Sequence, residues 1–529
     1  MEYLKYILLI NLYLLLIGCQ SNKNEEKTSG KPNVLFILAD DLGYKDLSAM
    51  GSEFYETPNI DKLANEGLIF TQAYSASRIC SPSRASILTG QFTARHGITD
   101  WIGARSGLAW RKNNRHDKMI PAFYAHNLAS DFLTLPEALK EEGYNTFIAG
   151  KWHLGQEGSL PKDHGFDIET GRLRAGSSSK QFYYAPFDNF HLNKRKKGDK
   201  LSSRLAEETI QFMIENQDSP FFAFLSFYAV HAPIQTTEKK WKKYRDKAEK
   251  SGFAKVGFEM GENLPIRKYQ DNPVYAGLVE SMDDAVGQLL KSLKELDLEE
   301  NTIVIFMSDN GGVVSGDNYS TSNIPLKGGK GTQWEGGIRV PLIIKVPGRH
   351  VEGQSNLQVV STDLYPTILD LIGADLRPNN HLDGISLAPL LGGRRIDSKR
   401  PFYWHYPHYG NQGGNPSSII IEGDWKLIHY WEDGKNELYN IAADIDEQEN
   451  LSFKYNDKME NMSRKLMTWL EKANAKLPIP DKKYNERLAM QRKDSILNQV
   501  LPNLERQRKD YLRPDWQPNA DWWGSKVID

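Results

Sequence analysis

Cysteine is nearly absent from this chain: 529 residues contain two, Cys19 and Cys80. That excludes a disulfide framework and leaves no Cys/His cluster with zinc spacing. Nor is there an excess of charge of one sign. Sixty-six Lys and Arg face 68 Asp and Glu, for a formal net charge of -2. No global basic field exists to draw in nucleic acid, so an anionic substrate must be attracted by local charges. Internal repeats and long low-complexity segments are missing as well. The one extended apolar run, Tyr6–Ile17, is shorter than the ~18–20 residues that span a bilayer.

That run is the first feature with content. Lys5 precedes it and Leu16-Ile17-Gly18-Cys19 closes it, which predicts a secretory signal peptide over residues 1–18. A small residue directly before Cys is similar to a bacterial lipoprotein cleavage box, with Cys19 as the lipidated residue. The polar stretch 19–31 then reads as a tether. The expected location is the bacterial outer membrane, held by a lipid anchor on its periplasmic or cell-surface face. A soluble periplasmic protein is the alternative. With Cys19 acylated, Cys80 is the sole thiol of the mature chain and has no disulfide partner. An unpaired Cys in an exported protein marks a reactive or modified residue, or a buried structural thiol.

Between residues 32 and 395, short apolar runs alternate with helical patterns. Asn33–Ala39, Thr146–Ala149, Phe221–Phe227, Ile303–Met307 and Leu342–Val346 have the continuous hydrophobicity of buried parallel strands. Ile60–Glu66, Leu135–Glu142, Ser202–Asn216, Pro273–Leu296 and Asp363–Ile372 read as the intervening helices. This predicts an α/β fold with a large, mostly parallel sheet between helices. Residues 396–480 change character. Short strand-like runs at Ser418–Ile421, Trp425–Tyr430 and Asn436–Tyr439, then a helix at Asp457–Ala473, predict a small antiparallel sheet with a packed helix. Residues 481–529 form a charged C-terminal extension that ends rich in Trp and Pro.

Polar residues collect where the predicted strands stop. Asp40-Asp41 follow the first, and Gly150-Lys151-Trp152-His153 the second. His231 follows the third and Asp309-Asn310-Gly311-Gly312 the fourth. Ligands of open α/β sheets bind beyond the carboxyl ends of strands. Asp40, Asp41, Asp309 and Asn310 are hard oxygen donors, suited to Ca²⁺ or Mg²⁺. Each pair taken alone could equally be a turn or a helix cap. Between the first two of these strands lies Ser77-Arg78-Ile79-Cys80-Ser81-Pro82-Ser83-Arg84-Ala85-Ser86-Ile87-Leu88-Thr89-Gly90. Pro82 suits the first position of a helix and Gly90 its stop. Cys80 would then lie at a helix N-terminus, which favours an anion, with Arg84 one turn further in.

Cys80-x-Pro82-x-Arg84 and its Ala-Ser-Ile-Leu-Thr-Gly continuation resemble the signature of type I, formylglycine-dependent sulfatases of the alkaline-phosphatase superfamily. The chain also resembles bacterial polysaccharide sulfatases. Supporting motifs are Gly150-Lys151-Trp152-His153-Leu154-Gly155, Ser308-Asp309-Asn310-Gly311, and Gly329-Lys330-Gly331-Thr332 leading to Glu335-Gly336-Gly337. The resemblance covers about residues 32–480. It implies an alkaline-phosphatase-like fold and a sulfuric ester hydrolase. It also implies that a dedicated maturation enzyme oxidises Cys80 to formylglycine. One Ca²⁺ would be held by Asp40, Asp41, Asp309, Asn310 and the modified Cys80. Arg84 would stabilise the nucleophile, His153 act as base and His231 as acid. Lys151 and Lys330 would neutralise sulfate oxygens.

A sulfated polysaccharide or oligosaccharide is the expected substrate of an exported enzyme of this kind. The insertion Trp101–His126, with Trp110, Arg111 and His116, is one candidate subsite. The aromatic run Phe402–Tyr409, with His405 and His408, is another. Solvated loop and interdomain packing are the respective alternatives. Two rival functions stay open at this level: a phosphodiester or phosphonate hydrolase of the same superfamily, and a catalytically dead glycan-binding lipoprotein.

Overall fold

The computed structural model describes residues 30–516 apart from 173–182, 186, 188–189, 193–197, 253 and 350. The signal peptide, Cys19, most of the tether and residues 517–529 lie outside the described residues. No helix among the described residues is long and apolar enough to cross a membrane.

Eight strands make the main sheet. In chain order they are β1 (Asn33–Ala39), β2 (Leu68–Tyr74), β3 (Asn145–Gly150), β4 (Ile168–Thr170), β5 (Phe221–Ser226), β6 (Thr302–Ser308), β7 (Leu342–Lys345) and β8 (Gly353–Val360). Their spatial order is β8-β2-β7-β6-β1-β5-β3-β4. All pairings are parallel except those of β7, which runs antiparallel to both β2 and β6. The central strands are apolar throughout because both faces are covered. Leu35 and Ile37 of β1 face α1 (Pro58–Glu66), while Val34, Phe36 and Leu38 face α2 (Cys80–Thr89) and α3 (Leu135–Glu141). The first face also carries α4 (Leu201–Glu215), α5 (Glu238–Ser251) and α6 (Pro273–Glu295), and the second carries α7 (Leu364–Leu371). The alternation of strands and helices read from the sequence is thus realised as helices on two sides of one mixed sheet.

Four more strands, β9 (Phe402–Tyr406), β10 (Ser417–Glu422), β11 (Trp425–Tyr430) and β12 (Asn436–Asn440), form an antiparallel meander. Helix α8 (Asn456–Lys472) packs Met462, Leu466, Trp469 and Leu470 onto it. That cluster also takes in Tyr74, Phe92, Trp334 and Ile338, so the small sheet is welded to the main one. A buried triad reinforces the join. Lys426 of β11 pairs with Glu335 at 3.2 Å and with Glu447 at 2.8 Å, and all three are fully buried.

The aromatic run Phe402–Tyr409 is corrected by this architecture. Phe402–Tyr406 is β9, an edge of the small sheet, and its rings are packing. Trp404 is buried and donates its indole N–H to the Ser75 carbonyl at 2.7 Å. The tail is also more ordered than its composition suggests. Ile479–Pro480 pairs with Met119–Ile120. Two further helices follow, α9 (Glu486–Ser495) and α10 (Leu501–Leu512), linked through a π-helical turn, Ile496–Val500.

Candidate active site

Register places the site. β1 lies between β5 and β6, with Ala39 level with Ser308 and Leu38 level with Ser226. Residues 40 and 309 therefore leave the sheet side by side. β3 is level with β5, Gly150 beside Ser226, and hands on Lys151 at the same edge. Gly150 has φ +100, and a Cβ there would lie 2.0 Å from the Ser226 carbonyl oxygen, so only glycine allows this approach.

Helix α2 enters from beneath. It starts at Cys80 itself, so Pro82 is the third helical residue and not the first. Proline is tolerated there because first-turn N–H groups have no intrahelical partner. Gly90 stops the helix in the left-handed conformation, φ +64, and its N–H donates to the Ser86 carbonyl. Every residue of α2 is buried, which fixes Cys80 and Arg84 in place. The Arg84 Nε donates to Asp309 Oδ2 at 2.9 Å. One Nη1 reaches the Lys151 carbonyl at 2.9 Å and Ser226 Oγ at 2.5 Å. Lys151 Nζ donates to Asp40 Oδ2 at 2.5 Å, and Lys330 Nζ to Asp41 Oδ2 at 2.7 Å. His231 Nε2 stands 3.7 Å from the same Asp41 oxygen. His153, half-buried at φ +59, has Nε2 3.1 Å from the Ile102 carbonyl, and its buried Nδ1 has no partner.

The loop that brings Lys330 in is glycine packed on glycine. A Cβ at Gly311 would lie 1.8 Å from the Gly336 carbonyl oxygen. Lys330 N–H donates to the Gly312 carbonyl, and Gly331 N–H to that of Arg78, two residues upstream of Cys80. The glycines of the two motifs are thus a contact surface between backbones. Lys327, three residues away, points elsewhere: it donates to the Glu447 carbonyl and lies over Trp334.

Cys80, Asp40 and Asp309 can bring one ligand atom each within 4.8 Å of one another. The donors fit a hard cation. Asp40 Oδ1 and Asn310 Oδ1 are buried with no hydrogen-bond partner, an arrangement that costs free energy unless something fills it. Burial, and then the charge of Asp40, push Asp309 up to about 7. Burial works in the same direction on Asp40, but Lys151, His231 and Arg84 together overcome it and hold that carboxyl below its usual range. A cation among these oxygens would relieve both the repulsion and the orphaned acceptors. Burial raises the Cys80 thiol, so as plain cysteine it is no better a nucleophile than usual. Burial and then Lys151 drive His153 down to about 3, which keeps its imidazole neutral.

Two neighbours carried no motif. Ser226 bridges Arg84 and the Lys151 carbonyl from the end of an apolar strand. Asp317, at φ +41, stands 3.4 Å from Lys330 and is held by Gln412 Nε2 at 2.8 Å. The turn-prone Gly316-Asp317 pair was the available signal. The expected subsite residues fare differently. Trp110 is buried, stacks on Tyr409 at 5.9 Å and donates to Asp117. Arg111 is tied to Asp481 at 2.5 Å. His405 and His408 are 2% and 0% exposed. The former bonds Ser418 and the Lys476 carbonyl, the latter Thr99. Neither histidine is open to a sugar, which corrects that expectation. His116 stays half-buried on the rim.

Comparison with known proteins points the same way as the geometry. A family model described as Sulfatase matches residues 32–374, and one described as N-sulphoglucosamine sulphohydrolase, C-terminal, matches 329–476. A sulfatase of Formosa agariphila is 31% identical over 90% of this chain and 95% of its own length. The N-acetylgalactosamine-6-sulfatase of Canis lupus familiaris is 31% identical over 76% of this chain and 72% of its own. The crystal structure of Ps i-CgsB in complex with k-i-k-neocarrahexaose superposes with a TM-score of 0.67. It has 26% identity and covers 90% of this chain and all of that one. With the strand-end residues gathered on one edge and two thirds of the chain matched, this protein belongs to the sulfatase family and is a sulfuric ester hydrolase.

Proposed function

We propose that the protein removes sulfate from a sulfated carbohydrate, with a formylglycine made from Cys80 as nucleophile and one Ca²⁺ beside it. The observation that carries this reading is the meeting of Cys80 with Asp40 and Asp309, flanked by two buried ammonium groups. The all-oxygen donors Asp40, Asp41, Asp309 and Asn310 would hold the ion with the modified residue 80. A bound Ca²⁺ would supply positive charge that acidifies an adjacent hydroxyl and polarises a sulfate oxygen.

As the hydrate of an aldehyde, position 80 offers two hydroxyl oxygens on one carbon. One takes up the sulfuryl group as the alcohol leaves; the other, once deprotonated, expels sulfate. His153 Nδ1 is the unpaired atom that accepts the second proton. Lys151 and Lys330 face the charge that builds on the sulfate oxygens. His231 would protonate the leaving oxygen. Burial and then Lys330 push it below its ordinary range, so it depends on the negative charge of the bound ester to hold a proton. Arg84 is a positioning residue, clamping Asp309 and the Lys151 backbone.

The carbohydrate reading is supported by the names of the relatives and by the neocarrahexaose bound to the structural neighbour. Export and lipid anchoring through Cys19 complete the proposal and account for a substrate too large for the cytoplasm. The test is sulfate release, by ion chromatography, from defined sulfated oligosaccharides beside matched phosphate esters. Faster turnover of the phosphate esters sinks the reading. So does a native Cys80 peptide that mass spectrometry finds only as thiol.

A further inference from the structure

Asp317 stands apart from the other charged groups of the site. Asp40, Asp41, Asp309 and Lys330 are buried, whereas Asp317 is exposed. Its side chain is 27% open to solvent, against 0% for Asp41 and 5% for Lys330. One of its oxygens nevertheless lies within 4.8 Å of both an Asp41 oxygen and a His231 ring nitrogen. A carboxylate is thus presented at the mouth of the site, beside the histidine proposed as the acid.

The loop that carries it is fixed on both sides. Ser315 Oγ donates to the Gln412 carbonyl at 3.0 Å, and a Cβ at Gly316 would lie 2.7 Å from the Asn411 carbonyl oxygen. On the other side, Arg267 Nε donates to the Tyr319 carbonyl at 2.6 Å. Asp317 and Tyr319 both adopt positive φ, +41 and +48, conformations that the surrounding structure must hold in place. Gln412 is buried and gives its Nε2 to Asp317 Oδ2 at 2.8 Å. Its own Oε1 rests against Gly331, where a Cβ would come within 2.6 Å. The carboxylate therefore has a set position relative to Lys330.

A cation shared by Asp41, His231 and Asp317 is one use for such a group. The Lys330 ammonium already stands there, 2.7 Å from Asp41 Oδ2 and 3.4 Å from Asp317 Oδ2. Lys330 and Gln412 both meet Oδ2 of Asp317. Among the described residues Oδ1 has no hydrogen bond. A carboxylate offers about four acceptor positions and no donor, so the pairing with Lys330 leaves Oδ1 for a donor from outside the protein.

In a sugar sulfate, hydroxyl groups beside the ester lie within hydrogen-bond reach of the ester oxygen. With that oxygen at His231, such a hydroxyl meets Asp317. We propose that Asp317 Oδ1 accepts a hydrogen bond from an unsulfated hydroxyl beside the sulfate ester, and so selects among sugars. This rests on the proposed carbohydrate reading and narrows it to sugars with a free hydroxyl next to the sulfate. A second sulfate in that place has no proton to give and meets a like charge. A sugar sulfated at both positions must first lose the neighbouring sulfate to another sulfatase.

The probes are methyl galactosides with one sulfate at C2, C4 or C6. Each is compared with a form lacking the nearest hydroxyl and a form sulfated there. On the probe that turns over best, removing the hydroxyl should cost the wild type about tenfold in kcat/KM. Sulfating it should cost about a hundredfold. Asp317→Ala should lose about tenfold on the parent probe and nothing further on the deoxy form. Asp317→Asn keeps an acceptor oxygen and drops the charge, so it should restore part of the parent turnover and admit the doubly sulfated form. Equal losses on all three forms would mean that Asp317 only steadies Lys330, and would overturn the inference. Titration calorimetry in Cys80→Ala, with and without Asp317→Ala, reads the same preference without turnover. No preference with any probe overturns the inference; a preference without sulfate release supports it and counts against the proposed function alone.

Discussion

At the strand ends, Asp40, Arg84, Lys151, Asp309 and Lys330 are at most 8% exposed, and each has a charged partner within 3 Å. On the rim formed by the insertion 101–126, Arg111 and Arg115 are half-buried, the first paired with Asp481, the second with Asp117 and stacked over Trp110 and Tyr409. The floor is a charge cluster in low dielectric, where removing one member leaves another unpaired. The rim is a set of solvated charges, where the same removal is nearly free in stability. The floor therefore carries reactivity common to a family, whereas the rim can vary with the substrate.

The sharpest way to break this comparison is Cys80→Ala. It should lower sulfate release by about a thousandfold or more, with melting temperature almost unchanged, because one small side chain is lost. Retained turnover in ion chromatography would remove the nucleophile from the account. Next is Lys330→Met. It strips Asp41 of its partner, so we expect kcat to fall about a hundredfold and stability to fall by about 3 kcal/mol, read by steady-state kinetics and urea titration. A variant as stable as the wild type would place Lys330 with the rim.

Stripping the cation with a chelator comes third. Restoring Ca²⁺ at a hundredfold excess over Kd should regain about 2.7 kcal/mol. The gain depends on pH. Without the ion, Asp309 titrates near 7 in the folded state, well above its ordinary value of 3.8. Its contribution to stability is therefore fully present below about pH 4 and is lost as pH rises toward 7. Scanning calorimetry should show the gap between loaded and stripped protein widening over that range. A gap that narrows would contradict a cation site at Asp309. The smallest effect is expected for Arg111→Ala on the rim. Its melting temperature should move by less than about 2 °C, while hydrogen exchange at residues 479–485 speeds up.

The same division decides what could be read from the sequence. β1, β5 and β6 are legible because central strands covered on both faces must be continuously apolar, and the polar residues just past them stand out. The edge strand β8, Gly353–Val360, reads GQSNLQVV and is buried only at its last two residues, so no pattern marks it. Helix α5 packs Trp241, Tyr244 and Ala248 from a stretch otherwise dominated by Lys and Glu, which hides its apolar stripe. Rings in Phe402–Tyr409 looked like a sugar platform and turned out to be core, since aromatic residues serve both ends equally well. Ser226 and Asp317 act through tertiary contacts only, and a lone serine or a turn aspartate has no spacing to detect.

The C-terminal segment from Ile479 onward has a consequence in time. Residues 118–120 find their partners at 479–481, some 360 positions further along, whereas Arg84, Lys151 and Lys330 find their carboxylate partners Asp309, Asp40 and Asp41 within the first two thirds of the chain. A segment emerging from synthesis or export in order would assemble the reactive floor early and close the cationic rim last. For an interval the young enzyme would possess its chemistry before its selectivity.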